Sequence, residues 1–389
     1  MIYDAIVVGS GPGGAIAASE LVRRGHSVLM VDRAAFPRDK VCGDGMPSSV
    51  IQKLTELDIK VNSRAFQHQR IEGIYLQSYS GRSLVIPERP SNMYSMVAPR
   101  LNFDYFLHQH ALACGVRFEV MDVVEPLLEN GSDGSDKHVV GIIERRGTQR
   151  VEHEARVVIA ADGASSVIVR GLRGRVASPE ETAVAIRAYG TPRTPAIEPL
   201  VRFYYLRHLT PGYGWIFPAG ESRVNVGLGL FDQAVYKAGR KDLKTLLAEF
   251  LDSVSSEFSI ELDAQTVKSW PIPVWTTMES RVVNGAYLVG DAGRFADALT
   301  GGGIFPAIVT GHLAAIAVDR HLHGASLSDA TRLYDESWRQ GLGRSLKRLL
   351  TVRDTVIARP RVFDGVMLAG TTLPFTKKLL LSNLAGQHA

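Results

Sequence analysis

Tyr3 to Val8 is a run of apolar, largely β-branched residues that predicts a buried strand. The cluster Gly9-Ser10-Gly11-Pro12-Gly13-Gly14 interrupts it, after which apolar residues return at helical spacing through Leu21 and Val22. Past Gly25, Ser27 to Val31 predicts a second strand ending in Asp32. Val157 to Ala161 and Tyr287 to Val289 read as two more strands, and an apolar helix is expected after Ile304. Between about Thr182 and Pro273 the period changes to two. Short alternating runs such as Val201-Arg202-Phe203-Tyr204-Tyr205-Leu206 and Arg223-Val224-Asn225-Val226-Gly227-Leu228 predict an antiparallel sheet, broken by one helix near Leu243 to Val254. The polar stretch 131–136 reads as a hairpin tip, and the chain from Arg332 to Ala389 as helical.

The glycine cluster carries chemistry. Gly9, Gly11 and Gly14 fit G-x-G-x-x-G, in which absent side chains allow a tight turn, close approach of backbone N–H groups to a pyrophosphate, and packing of helix on strand. The positive end of the helix then faces the phosphates. Asp32 lies eighteen residues beyond Gly14, where an acidic side chain takes ribose hydroxyls, with Arg33 beside it. The combination of strand, glycines, helix, strand and terminal acid predicts a dinucleotide site.

Four later segments narrow the choice of dinucleotide. Phe36-Pro37-Arg38-Asp39-Lys40-Val41-Cys42-Gly43-Asp44-Gly45 resembles the P-x-x-K-x-C-G segment of the FAD-dependent geranylgeranyl reductase family, within the larger group that also holds flavin monooxygenases and halogenases. Taken by itself, the run is a loop with two cations and a small thiol. Arg100 to Leu107 resembles R-x-x-F-D-x-x-L, whose Arg reaches FAD in these proteins, although Arg100 could equally pair with a carboxylate. Asp162-Gly163-Ala164-Ser165-Ser166 is similar to their D-G motif, with Arg170 one residue later than the commonest spacing. Gly290-Asp291-Ala292-Gly293 and Leu299-Thr300-Gly301-Gly302-Gly303-Ile304 resemble G-D-A-A-G followed by L-T-G-x-G-I, where the Asp holds the ribityl chain and the next helix points its N-terminus at the flavin. Unpaired N–H groups and the helix dipole there favour negative charge and hence the anionic reduced flavin. Many family members carry Glu where this chain has Gly302.

The resemblance implies an α/β protein with a Rossmann-like FAD-binding domain (1–65, 100–175 and 276–330), an inserted antiparallel-sheet substrate domain (66–99 and 176–275) and a C-terminal helical region (331–389). Tyr213-Gly214-Trp215-Ile216-Phe217-Pro218 and Asn225-Val226-Gly227 match the Y-x-W-x-F-P and N-V-G pattern of the reductase branch. Their aromatics would give flat walls to a hydrocarbon chain, or else simply fill the strand core. The resemblance thus implies FAD as cofactor, reduced by NADPH, another reduced carrier or an electron-donor protein. An apolar isoprenoid or polyene is the implied substrate, with Cys42, Tyr213 and Trp215 as candidate pocket residues. A monooxygenase or halogenase, and a non-catalytic prenyl-binding escort, are the alternatives. Halogenases typically show W-x-W-x-I-P, against which Tyr213 and Phe217 are mismatches.

Composition removes other classes. Of 389 residues 45% are apolar, enough for full cores, and 44 basic against 40 acidic residues leave a net charge of only +4, too weak to argue for nucleic acid. The excess is uneven: nine basic and two acidic residues from Arg339 onward make that tail +7. It reads as a helical cap over the substrate mouth or as a basic, apolar surface resting on anionic lipid. Two cysteines, Cys42 and Cys114, cannot build a disulfide framework, and no metal-ligand spacing appears. The glycine motif starts too near Met1 to leave room for a signal peptide, and the longest apolar stretch, Gly301 to Val318, is interrupted by Pro306, Thr310 and His312. A cytoplasmic protein, with peripheral membrane contact at most, is expected.

Overall fold

The computed structural model describes residues 2–61, 65–88, 93–130, 137–193, 197–220, 222–231 and 242–372. The polar stretch at 131–136 and the end of the basic tail, including Lys377 and Lys378, lie outside them.

Two large sheets organise the chain. In the first, the strands Val282–Val283, Ala286–Leu288, Gln149–Ala160, Tyr3–Val8, Val28–Asp32 and Arg117–Val120 lie side by side in that order. All neighbours are parallel except the first pair. Helices Pro12–Arg23 and Ile304–Leu322 pack on one face, and residues such as Val139, Ile142, Ile168 and Val169 cover the other, which together explain why Ala5 to Val8 and Val28 to Asp32 are buried without alternation. Gln149–Ala160 is longer than the predicted 157–161 segment. Its outer half pairs antiparallel with His138–Arg146, which in turn pairs with Val123–Glu129. That extension is polar on one side and so reads as strand only once its partners are known.

The second sheet runs Ile260–Leu262, Thr182–Pro192, Val224–Leu230, Gly212–Pro218, Leu200–Tyr204, Gly73–Gln77 and Ser83–Pro87, with Lys268–Pro273 also paired to Thr182–Pro192. Its pairs are antiparallel apart from Leu200–Tyr204 with Gly73–Gln77. Period-two geometry splits it cleanly. Val224, Val226, Leu228 and Leu230 join Leu246, Leu247, Phe250 and Val254 of helix Leu243–Val254 on one face, while Tyr213, Trp215 and Phe217 point to the other. A small sheet of Gly45–Met46, Met96–Val97 and Gln69–Arg70 lies between these parts.

The C-terminal chain, helical from Leu327 to Thr372 with two π-type turns, spans both sheets. Tyr334, Trp338, Leu342 and Leu346 belong to the core around the first sheet. Leu349, Ile357, Phe363 and Met367 cover the aromatic face of the second, where the Tyr79 hydroxyl donates to the Ile357 carbonyl at 3.0 Å.

The helices Pro12–Arg23 and Ile304–Leu322 meet backbone to backbone: a Cβ on Gly311 would collide with the Gly13 carbonyl oxygen. Gly311→Ala should therefore cost about 1–3 kcal/mol through overpacking. Gly365→Ala, in an exposed helical position with open space around it, should be neutral or stabilising by about 0.5–1 kcal/mol. Denaturant unfolding midpoints of the two variants check this; equal midpoints would remove the close crossing as a stability determinant.

Candidate active site

The glycine turn forms as its spacing requires. Gly9 has φ 101, and a Cβ on Gly14 would strike the Gly9 carbonyl, so neither position accepts a larger residue without rearrangement. Gly11, by contrast, faces space whose nearest group is the Arg38 guanidinium, 3.9 Å from where its Cβ would stand. At the end of the second strand Asp32 accepts from Ser10 N at 3.0 Å and from Arg38 Nη2 at 3.2 Å, while Arg33 is exposed beside it. Arg38 reaches Asp104 at 3.5 Å as well. Motif spacing did not single Arg38 out; its role follows from the loop folding back over the turn.

Arg100 heads its helix as expected, but its guanidinium binds its own chain. Nε and Nη2 donate to Asp104 at 2.6 and 2.7 Å, both residues being buried. Burial opposes the Arg100 charge, yet the Asp104 carboxylate outweighs it and raises its pKa, with nearby Cys42 acting in the same direction. The carboxylate pairing is thus realised, and it places Arg100 beside Cys42.

The Lys40 to Gly45 loop joins everything else. Lys40 Nζ sits 2.9 Å from Asp291 Oδ2, and this pairing keeps the Asp291 pKa low against the opposing effect of burial. Asp39 receives Arg187 at 2.8 Å and Lys268 at 3.1 Å from the second sheet. Asn225 donates to the Cys42 carbonyl and to Asp44 Oδ2, both at 2.8 Å, and accepts from Trp215 Nε1 at 2.9 Å. A Cβ on Gly43 would lie 3.3 Å from Phe217 and 3.4 Å from Trp215 Nε1, so the aromatic face abuts this loop directly. Burial pushes the Cys42 thiol up, keeping it protonated at neutral pH. Asp44, fully buried and at φ 63, is pushed up to about 6 by burial, against the hydrogen bonds of Tyr189 and Asn225 and the charges of Arg187 and Arg100. Sequence reading gave no role to Asp44 or Tyr189 and noted Lys40 only as the lysine of the P-x-x-K-x-C-G segment; for Asp44 the signal available was an ionisable residue two places after the motif Cys.

Asp162 and Gly163 close the turn after Ala160. Asp162 Oδ2 caps the next helix through Val167 N at 2.7 Å, its Oδ1 is buried without a partner, and Arg170 is exposed. Gly302, the position that carries Glu in many relatives of the resembled family, has a defined neighbour: a Cβ there would stand 2.7 Å from Asp297 Oδ2. Asp297 accepts from the N–H groups of Leu299, Thr300 and Gly302. The Gly302 N–H is therefore already engaged, leaving Gly303 and Ile304 at an N-terminus with no side-chain cap, where a Cβ on Gly303 would meet Asp291 Oδ1 at 3.0 Å. Tyr213 donates to the Thr300 carbonyl at 2.5 Å and Trp215 is committed to Asn225, both rings being buried with Phe203 and Phe217. At the far end of the first helix, His26, Asp319 and His323 come together, with His26 Nε2 hydrogen-bonded to Asp319 Oδ1 at 2.7 Å, a trio that linear spacing does not show.

A family model described as an FAD binding domain matches residues 2–340. The chain belongs to this FAD-binding family. Among its relatives, a digeranylgeranylglycerophospholipid reductase of Methanosphaerula palustris is 30% identical over 363 residues, covering 91% of this chain and 86% of the relative. A menaquinone reductase of Mycobacterium tuberculosis is 30% identical over 390 residues, covering 98% and 89%. A solved geranylgeranyl bacteriochlorophyll reductase-like protein of Thermoplasma acidophilum superposes with TM-score 0.82 at 24% identity, covering 98% of this chain and 99% of that one. A flavin-dependent brominase superposes at 0.78 and 19%, covering 100% and 94%. The protein is accordingly an FAD-dependent oxidoreductase of the geranylgeranyl reductase-like group, with a Rossmann-like nucleotide-binding part, an inserted sheet and a C-terminal helical region.

Its residues fit that cofactor. Gly11 leaves open space for it, the orphaned Asp162 Oδ1 and the Asp291 carboxylate are acceptors, and the uncapped helix start at Gly303 offers N–H donors, all of which a dinucleotide can complete. Asp291→Ala should weaken FAD retention, since it also leaves Lys40 without its partner; gel filtration followed by the flavin-to-protein absorbance ratio measures it, and an unchanged ratio would remove Asp291 from cofactor holding.

Proposed function

We propose that this oxidoreductase saturates carbon–carbon double bonds in a prenyl chain or related apolar polyene, with electrons from NADPH, another reduced carrier or an electron-donor protein. The observation that carries the reading is the junction at Gly43, where the aromatic face of the second sheet, Trp215 and Phe217, abuts the Cys42 loop through Asn225. The relatives named as prenyl-lipid and menaquinone reductases support it. FAD, when bound, supplies the hydride.

The chain's own residues do the rest. Gly9, Gly11, Gly14, Asp32, Arg33, Asp162, Gly163, Gly303, Ile304 and Asp291 hold the dinucleotide, Gly302 being tied to Asp297 in the turn beside them, with Arg100 and Gly43 shaping the loop. Tyr213 and Trp215 present apolar ring faces while their polar atoms are tied to Thr300 and Asn225, so they exclude water and orient a hydrocarbon without competing for it. Positioning is the larger share of the work, because an isolated alkene offers no polar handle. Cys42, protonated and half-buried, is the proton-bearing group at the wall. The divisions at 1–65, 100–175 and 276–330, at 66–99 and 176–275, and at 331–389 are proposed as the cofactor, substrate and capping units.

A monooxygenase or halogenase is the second reading, favoured by the shared fold of the brominase. Anaerobically reduced protein given a geranylgeranyl compound should yield products heavier by two hydrogens for each reduced bond, with reoxidation in step. Trp215→Ala should slow the reaction or change which bond is reduced. Product that forms only with oxygen, carrying an added oxygen or halogen atom, would install the second reading instead.

Membrane contact is proposed for the cap. Arg344, Lys347, Arg348, Arg359 and Arg361 are exposed there together with Val362 and Leu368, which are 44% and 43% accessible. Among the described residues no helix is long and apolar enough to cross a membrane. Sedimentation with anionic vesicles should decline as salt rises and weaken in Val362→Asp and Leu368→Asp. Equal sedimentation with neutral and anionic vesicles at low salt counts against it.

A further inference from the structure

Saturating a double bond consumes one hydride and one proton, and the aromatic wall that suits an apolar chain also keeps water from delivering the proton. Tyr213 and Trp215 have their single donors engaged by Thr300 and Asn225. Cys42 carries one proton and must regain it between turnovers. Cys42 is only half-buried, but a substrate seated on the aromatic wall covers its open side, so the proton needs a path from solvent that does not cross the wall.

One lies on the opposite side of the second sheet's Tyr189. A cavity of about 490 Å³ is lined by Gln67, Asn102, Tyr189, Ser222, Arg223 and Asp263, among other residues. Gln67, Ser222, Arg223 and Asp263 are exposed, so this cavity is wet. Tyr189 itself is buried. Its ring is held between the Arg187 and Arg223 guanidinium groups, 4.5 and 3.9 Å from the centroid, and its hydroxyl donates to Asp44 Oδ2 at 2.5 Å. Asp44 has no exposure, and only Gly43 separates it from Cys42 in the chain. Its remaining contacts are Asn225 Nδ2 at 2.8 Å and the Arg100 backbone N–H at 3.3 Å.

We propose that Tyr189 and Asp44 form a proton inlet from this outer cavity to Cys42, a proposal that rests on the double-bond reductase reading. A cavity water gives a proton to the Tyr189 oxygen as the phenol proton passes to the Asp44 carboxylate, and the hydroxide left behind is neutralised by solvent. The Asp44 carboxylic acid then reprotonates the Cys42 thiolate left when the thiol has given its proton to the substrate carbon. The electrons come only from the hydride, so the relay moves protons alone. Tyr189 never ionises: burial and the facing Asp44 carboxylate push its pKa far up, so its proton leaves only as another arrives. Asp44 is suited to alternate between forms, since burial raises it to about 6 while Tyr189, Asn225, Arg187 and Arg100 support its charge. Cys42, facing it from the same loop, and Asp39, facing Tyr189, add negative character when ionised. Both residues are positioning and relay groups that act through Cys42.

Two conservative variants test the inlet in the holoenzyme. Asp44→Asn keeps an acceptor for Tyr189 and Asn225 and a residue type that tolerates the left-handed backbone. Tyr189→Phe keeps the ring between the two arginines. In the resting protein, infrared titration should show a carboxylic acid band that grows as pH falls through about 6 and is missing from Asp44→Asn. On transfer to deuterium oxide that band should shift more slowly in Tyr189→Phe than in the parent. In turnover, kcat of the parent should fall as pH rises above about 6, because the protonated carboxyl is the competent form. Asp44→Asn should lose that limb and about a hundredfold in kcat, with KM little changed. A band that persists in Asp44→Asn, or that exchanges equally fast in Tyr189→Phe, overturns the inlet. So does an unaltered pH profile in Asp44→Asn. If the parent reduces no alkene, the reductase reading fails, while the infrared arms still decide whether Tyr189 feeds Asp44.

Discussion

The Asn225 amide is the contact on which the two sheets depend. Its carbonyl accepts from Trp215, and its nitrogen donates both to the Cys42 carbonyl and to the Asp44 carboxylate. An amide can make about four hydrogen bonds, and here three are made in a fully buried site to groups that have no water to fall back on. Leaving any one of them unsatisfied costs about 1–3 kcal/mol. The aromatic face and the cofactor loop are therefore not free to slide independently. The position of the hydrocarbon wall relative to the Cys42 loop is set by this amide, with Arg187 and Lys268 on Asp39 as outer ties.

A second group of charges, with Arg281 and Arg294 buried and Glu279 at the surface, fixes the other side of the site. Arg294, with left-handed backbone just after Gly290 to Gly293, binds Glu181 at 2.6 Å and also meets Glu279, which receives Arg173 at 3.1 Å and Arg281 at 2.9 Å. Arg281 has no exposure, rests against Phe295 and Trp338, and is pushed down to about 10 by burial and by Arg173. Such clusters contribute little net stability, since desolvation offsets most of the attraction. Their use is geometric: Glu181 begins the long strand of the second sheet, and Arg294 follows the Asp291 turn. The same interaction thus sets the angle between them.

The C-terminal helices complete the division of labour. Tyr334 and Asp335 anchor them to the first sheet, the Tyr334 hydroxyl donating to the Leu288 carbonyl and the Asp335 carboxylate accepting from the Arg281 N–H, and Phe363 and Met367 then close over Tyr79, Tyr205 and Tyr213. Without that cover the face bearing Tyr213, Trp215 and Phe217 would be a large exposed apolar patch. The cap is therefore part of the substrate wall's stability, while its outward side carries the cations.

Local order along the chain was enough to reveal the strand, glycine turn, helix and second strand, the alternating sheet from Thr182 onward, and the helix Leu243–Val254, because each is dictated by hydrophobic period and by backbone needs within a few residues. The motif residues Cys42, Asp162, Asp291 and Trp215 were legible for the same reason. What pairs with them was not. Arg100 turned to Asp104, Lys40 to Asp291, Asp297 to the turn beneath Gly302, and Tyr189 to Asp44. The pairs Lys40–Asp291 and Tyr189–Asp44 are separated by 251 and 145 residues, and a hydrogen bond across such a distance leaves no periodic trace in the chain. The sequence by itself determined the opening strand, turn, helix and strand, the alternating sheet with its helix, and that a dinucleotide is bound. Only the tertiary structure decided which buried charges face one another, because that choice is made by desolvation and contact between segments that the chain order keeps apart.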